Sequence, residues 1–92
     1  MRILRLPAVL HQTGHRSPAS IYKVFRDGTF PKQVRIGARS VGWPDDEVDE
    51  INQARVSGAT DAQLRELVDA IHCRRVEQGI LITKQLQART SR

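Results

Sequence analysis

Hydrogen-bond donors crowd one stretch of this sequence, at Arg16, Ser17, Ser20, Tyr22, Lys23 and Arg26, with Arg35 and Arg39 close behind. Five of these eight side chains carry fixed positive charge. That set suits a polyanion. Lysine and arginine neutralise phosphates, while hydroxyls add directional bonds that fix register without adding charge. Short basic segments of this kind read duplex DNA when a folded frame holds them at groove spacing.

Other chemistries find less support. His11 and His15 are four residues apart, a metal-pair spacing on a helix, but Gly14 falls between them and no further ligand is near. His72 and Cys73 are adjacent, so on a helix they point about 100° apart and do not converge on one ion or substrate. Asp45, Asp46, Glu47, Asp49 and Glu50 follow a proline. At a helix start they act as cap and dipole partners rather than as a cation site. There is no glycine-rich phosphate loop and no nucleophile–base pair. The chain reads as a non-enzyme with no cofactor, no metal and no small-molecule substrate.

The chain has 92 residues, enough for one small domain or a domain with a tail, and too few for a large enclosed active site. Its four aromatics, Tyr22, Phe25, Phe30 and Trp43, all lie in the first half, where the better core is expected. No apolar run approaches the ~20 residues of a membrane span. Arg2 and Arg5 interrupt the N-terminus, against a signal peptide. The single cysteine, Cys73, has no internal disulfide partner and fits a reducing cytoplasm. Net charge is +5, but residues 1–44 hold eight bases and one acid, while residues 45–92 hold seven bases and nine acids. A basic half joined to a near-neutral half suggests a polyanion-binding module with a second element for another job.

Local signals place these residues on elements. Pro7 can sit in a first helical turn, and a short helix is expected over 7–13, stopped by Gly14. Ser17-Pro18 then reads as an N-cap followed by proline at the first helical position. Ile21, Val24 and Phe25 supply the inward stripe, and Asp27-Gly28 ends the helix. This is the outline of a helix-turn-helix. Phe30 to Gln33 is an extended connector. Val34 and Ile36, then Val41 and Trp43, alternate around Gly37-Ala38-Arg39-Ser40, a β-hairpin with a basic tip. Trp43 is expected in the core. Tyr22 is either a core-edge ring or a phosphate contact. Asp45-Asp46-Glu47 opens a third helix, with Asp as cap and Val48, Ile51 and Val56 facing inward; Ser57-Gly58 stops it. Thr60 and Gln63 have capping-box spacing. A fourth helix is expected from 61 to about 78, ending at Gly79, with residues 80–92 unassigned and fraying at the end. Its stripe of Leu64, Leu67, Val68 and Ile71 either packs on the preceding domain or pairs with a second copy. Arg74, Arg75, Lys84, Arg89 and Arg92 read as a solvated arm or as further phosphate contacts.

Taken in order, several short pieces carry a resemblance. They are Leu4-Arg5-Leu6-Pro7, Thr13-Gly14, Ser20-Ile21-Tyr22-Lys23, Gly28-x-Phe30-Pro31, Val34-x-Ile36-Gly37-x-Arg39-x-Val41-Gly42-Trp43 and Glu47-Val48. The set resembles the AlpA family of phage-type DNA-binding regulators, akin to MerR-like and excisionase winged helices, over about residues 2–57. The resemblance implies bacterial or phage origin and a regulator of transcription or of prophage excision, nucleoid-associated when bound. It places Ser20, Tyr22 and Lys23 on the recognition helix and Arg39 on the wing. The turn His15-Arg16-Ser17-Pro18-Ala19 departs from the family pattern by one extra residue, so base preference does not carry over.

The expected fold is mainly α with a small β-hairpin: a winged helix-turn-helix over 1–57, with an additional C-terminal helix and tail over 58–92 for packing or self-association. The expected partner is double-stranded DNA, bound by a homodimer or an array, with residues 17–27 in the major groove and 34–43 on adjacent backbone or minor groove. The rival reading is a protein-interaction adaptor on the same scaffold. An adaptor gives no reason for the +7 of residues 1–44.

Overall fold

A computed structural model describes residues 1–90 of the chain. The order is β1 (Ile3–Leu4), α1 (Leu6–Thr13), α2 (Pro18–Arg26), β2 (Val34–Arg35), β3 (Val41–Pro44), α3 (Asp45–Val56) and α4 (Asp61–Thr90). The fold is mainly α with a small antiparallel sheet, a winged-helix-like arrangement. The sheet has order β1-β3-β2, with Leu4 opposite Trp43 and Val34 opposite Gly42.

Punctuation residues set the first two helices. Pro7 and Pro18 lie in the opening turns of α1 and α2. Gly14 closes α1 at φ 76, a left-handed conformation that costs glycine nothing. Ser17 occupies the cap position of α2 but makes no side-chain cap bond, contrary to the capping role expected of it. The amide that a serine cap serves is partly pre-empted, because Ser20 N–H already donates to the Ser17 carbonyl at 3.1 Å.

The core draws on every helix and on the sheet. Leu4, Val9, Ile21, Phe30, Trp43, Val48, Ile51, Val68 and Ile71 form one buried cluster. It runs across residue 57, so α4 completes the core begun by the first half. Trp43 is fully buried, meets Phe30 edge-on at 5.9 Å, and donates its indole N–H to the Pro31 carbonyl at 2.9 Å. That bond satisfies the one polar atom the ring brings inside. The stripe of Leu64, Leu67, Val68 and Ile71 is used here: three of the four are buried and Leu67 packs against the cluster. It therefore offers no free face to a second copy, because the body of the same chain already covers it.

The structure departs from the sequence expectations in four further places. Strand β1 was not anticipated; it is held by Asp45 N–H donating to the Arg2 carbonyl at 2.8 Å and Arg2 N–H donating to Asp45 Oδ1 at 2.9 Å. Asp45 is thus committed to β1 and is not the cap of α3, whose cap position holds Pro44. Val56 is 89% exposed rather than inward, since five residues past Ile51 turns it about 140° round the helix. Helix α4 does not stop at Gly79: that glycine keeps an ordinary helical φ, and Thr83 Oγ1 donates to its carbonyl at 2.8 Å. An interior glycine costs only about 1 kcal/mol, too little to end a helix with good formers on both sides. The Thr60–Gln63 capping box is present, with reciprocal bonds of 2.9 and 3.2 Å. No helix is long and apolar enough to cross a membrane among the described residues.

Candidate nucleic-acid interface

Helix α2 is anchored by one fully buried residue, Ile21, with Val24 packed beside it. Everything on its other side is free for a partner: Ala19, Tyr22, Lys23 and Arg26 are exposed, and Ser17 and Ser20 are half-buried. Tyr22 is 38% exposed, a ring partly covered with part of its surface in solvent. Arg16 is exposed in the turn before α2. The helix end is fixed by Thr29 N–H and Thr29 Oγ1, both donating to the Val24 carbonyl, and by Gly28 at φ 80.

The hairpin β2–β3 carries the other cations. Its tip closes through Ile36 N–H and Gly37 N–H, both donating to the Ser40 carbonyl at 2.8 and 3.3 Å. Arg39 stands exposed on this tip and Arg35 exposed on β2. Gly42 brings the strands close: a Cβ there would lie 2.7 Å from the Leu4 carbonyl oxygen and 2.8 Å from Ile36 Cδ1. Helix α1 touches α2, α3 and β3. Asn52 Nδ2 ties the Gln12 carbonyl to α3 at 3.0 Å. Both basic elements are therefore built on one rigid core.

Charge pairing differs between the two halves. Among the described residues, the side-chain ion pairs are Arg75 with Glu47 and Arg74 with Glu50. Arg74 and Arg75, weighed above as phosphate contacts, are used to clamp α4 onto α3. The Arg74 guanidinium is held above its usual range by its bonds to Glu50. Within the acidic run at 45–50, Glu47 and Glu50 are the acids of these two pairs, Asp45 accepts the Arg2 backbone N–H, and Asp46 Oδ1 accepts the Glu47 N–H. Among the described residues, none of Arg16, Lys23, Arg26, Arg35 and Arg39 takes part in an ion pair. Lys84 and Arg89 are exposed on the far part of α4, and Arg92 lies outside the described residues.

One groove adds residues that local patterning did not single out. An open cavity of about 300 Å³ is lined by Ser20 and Lys23 of α2, His15 of the turn, Arg55 of α3 and Asp61 of α4, among others. Burial and the Arg55 charge lower the His15 pKa. Arg55 thus joins Lys23 in one groove from a distant part of the chain, where Asp27 and Asp61 also line the wall. His72 has a structural place: its Nε2 accepts the Lys32 N–H at 3.0 Å, and burial with the Arg75 and Lys32 charges lowers its pKa. Among the described residues no group of three or more His, Cys, Asp or Glu is placed to hold a metal ion.

The family described as prophage CP4-57 regulatory protein (AlpA) matches residues 2–56, from β1 to the last residue of α3. The DNA-binding transcriptional activator AlpA of Escherichia coli (strain K12) is 46% identical over 56 residues, 54% of this chain and 79% of that one. The uncharacterized protein ORF88 of Enterobacteria phage P4 is 40% identical over 57 residues, 62% of this chain and 64% of that one. No solved structure matches. With more than half its length matched by the family, the chain belongs to the AlpA family of prophage regulatory proteins.

Proposed function

We propose that the protein is a sequence-specific regulator that binds double-stranded DNA. Helix α2 enters the major groove with Ser20, Tyr22, Lys23 and Arg26, and Arg16 and Ser17 meet the backbone at its start. Arg35 and Arg39 of the hairpin reach adjacent backbone or minor groove, where arginine is favoured electrostatically. One observation carries this reading. Among the described residues, the five cations of α2, its turn and the hairpin make no ion pair, whereas Arg74 and Arg75 are paired within the chain. The name of the E. coli relative, a DNA-binding transcriptional activator, supports the same partner. A single short reader gives few base contacts, so copies act as a pair or an array on repeated half-sites. The output is control of transcription or of prophage excision.

The test is a binding titration with duplex fragments of the native locus against a scrambled competitor. Competitor-resistant binding to one fragment supports the regulator reading, and a reporter and an excision assay on that fragment then separate the two outputs. No binding at low salt rejects the reading and favours the adaptor.

A further inference from the structure

Helix α4 outruns the body that it packs on. Leu64, Val68, Ile71 and Arg75 face the body, and every residue from Val76 to Arg89 is exposed. That stretch extends about 20 Å at 1.5 Å per residue, and the molecule measures 51 × 29 × 21 Å. The projecting segment carries apolar side chains as well as polar ones. Val76, Ile80, Leu81, Ile82 and Leu86 are each half or more exposed. Apolar surface gathered on one exposed element marks a contact site.

The stripe that fills the core also continues past it. Arg75 is followed at helical spacings of three and four by Gly79, Ile82, Leu86 and Arg89. Between the start of this continuation and the sheet lies an open groove of about 630 Å³, with Met1, Ile3 and Val34 on the sheet side and Gly79 and Ile82 on the helix side. Met1 and Ile3 are 86% and 41% exposed.

We infer that this groove and the end of α4 form the interface with a second copy of the chain, the two α4 ends antiparallel. The sequence of the stripe selects this occupant. With a two-fold axis between Ile82 and Thr83, Leu86 of the partner subunit comes level with Gly79, and Leu86 comes level with the partner's Gly79. A contact in which each residue meets the other's counterpart is what a two-fold requires. Large faces small: a Cβ at Gly79 would meet nothing within 4 Å, so there is open room for a leucine side chain above it. The same register brings Arg89 of the partner subunit level with Val76, next to Arg75 at the edge of a groove whose lining also includes Asp46 and Glu47. Neither Asp46 nor Arg89 is in an ion pair within the chain, among the described residues. A parallel pair would stack glycine on glycine and Arg89 on its own copy, leaving the hole empty and like charges together.

This locates the pairing of copies proposed above, and it is tested without DNA, so its failure and a failure of DNA binding are told apart. Sedimentation of the full chain across the micromolar range should show mass rising from 10.4 kDa toward twice that value. Gly79→Leu fills the hole while improving helix propensity, and Ile82→Glu charges the stripe. Each should raise the dimer dissociation constant at least ten-fold, while the thermal melt of the monomer body stays unchanged, since both positions lie beyond the core. A chain that stays monomeric throughout overturns the inference. So does a dimer that survives either substitution.

Discussion

Replacing Gly42 by alanine tests whether the hairpin is positioned by close packing of the sheet. The added methyl would lie 2.7 Å from Ile3 Cγ2, 2.7 Å from the Leu4 carbonyl oxygen and 2.8 Å from Ile36 Cδ1. The two side-chain ends can rotate away. The carbonyl oxygen cannot, because Leu4 sits in the β1–β3 ladder opposite Trp43. Relief therefore requires β1 to separate from β3 or the hairpin to shift. Overpacking of this kind costs about 1–3 kcal/mol. For a domain of this size each kcal/mol moves the melting temperature by about 4–8 °C, so a cost of about 2 kcal/mol lowers it by about 8–16 °C. The assay is a thermal melt followed by circular dichroism. The folded variant should also bind DNA more weakly, because Arg35 and Arg39 ride on the displaced strands. A melt within about 2 °C of the parent would refute the packing argument.

Glu47→Ala strands Arg75, which is 23% exposed, at the α3–α4 joint. Loss of its charge-assisted bonds should cost about 1.5–3 kcal/mol in denaturant unfolding, whereas Glu50→Ala, at an exposed pair, should cost less than about 1 kcal/mol; equal costs would contradict the burial argument. Acid should destabilise the protein below the ordinary histidine value of 6.5, because the lowered His72 and His15 pKa values mean that the unfolded chain binds more protons in that window. Stability is full above 6.5 and falls as pH drops through the folded values. His72→Gln keeps an acceptor for Lys32 and should reduce that pH dependence in unfolding titrations; an unchanged slope would remove His72 from the account. Lys23→Ala should relax discrimination at one operator position, read in a panel of single-base variants, with a uniform loss across the panel pointing to a phosphate contact instead.

Much of this architecture is legible in the chain's punctuation. Pro7, Gly14, Pro18 and Gly28 bound α1 and α2, and alternation around Gly37–Ser40 marks the hairpin. Strand β1 is not legible, because Ile3–Leu4 is too short to show a period and exists only through its pairing with β3. The extent of α4 is hidden by Gly79, a weak breaker that the flanking residues override. The candidate interface follows the charge pattern for α2 and the hairpin. The pairing that removes Arg74 and Arg75 from it does not, since their partners are 24 and 28 residues away. Arg55 beside Lys23 is likewise a product of tertiary packing, with no local signal.

The most direct test of the central claim is the salt dependence of duplex binding. If Arg16, Arg26, Arg35 and Arg39, which make no ion pair among the described residues, each neutralise a phosphate while Lys23 reads a base, the logarithm of affinity per bound chain should fall with that of salt at a slope of about −3.6. Arg39→Ala should flatten it by about 0.9. A slope near zero, or one that the substitution leaves unchanged, would contradict the assignment of α2 and the hairpin as the DNA-binding surface.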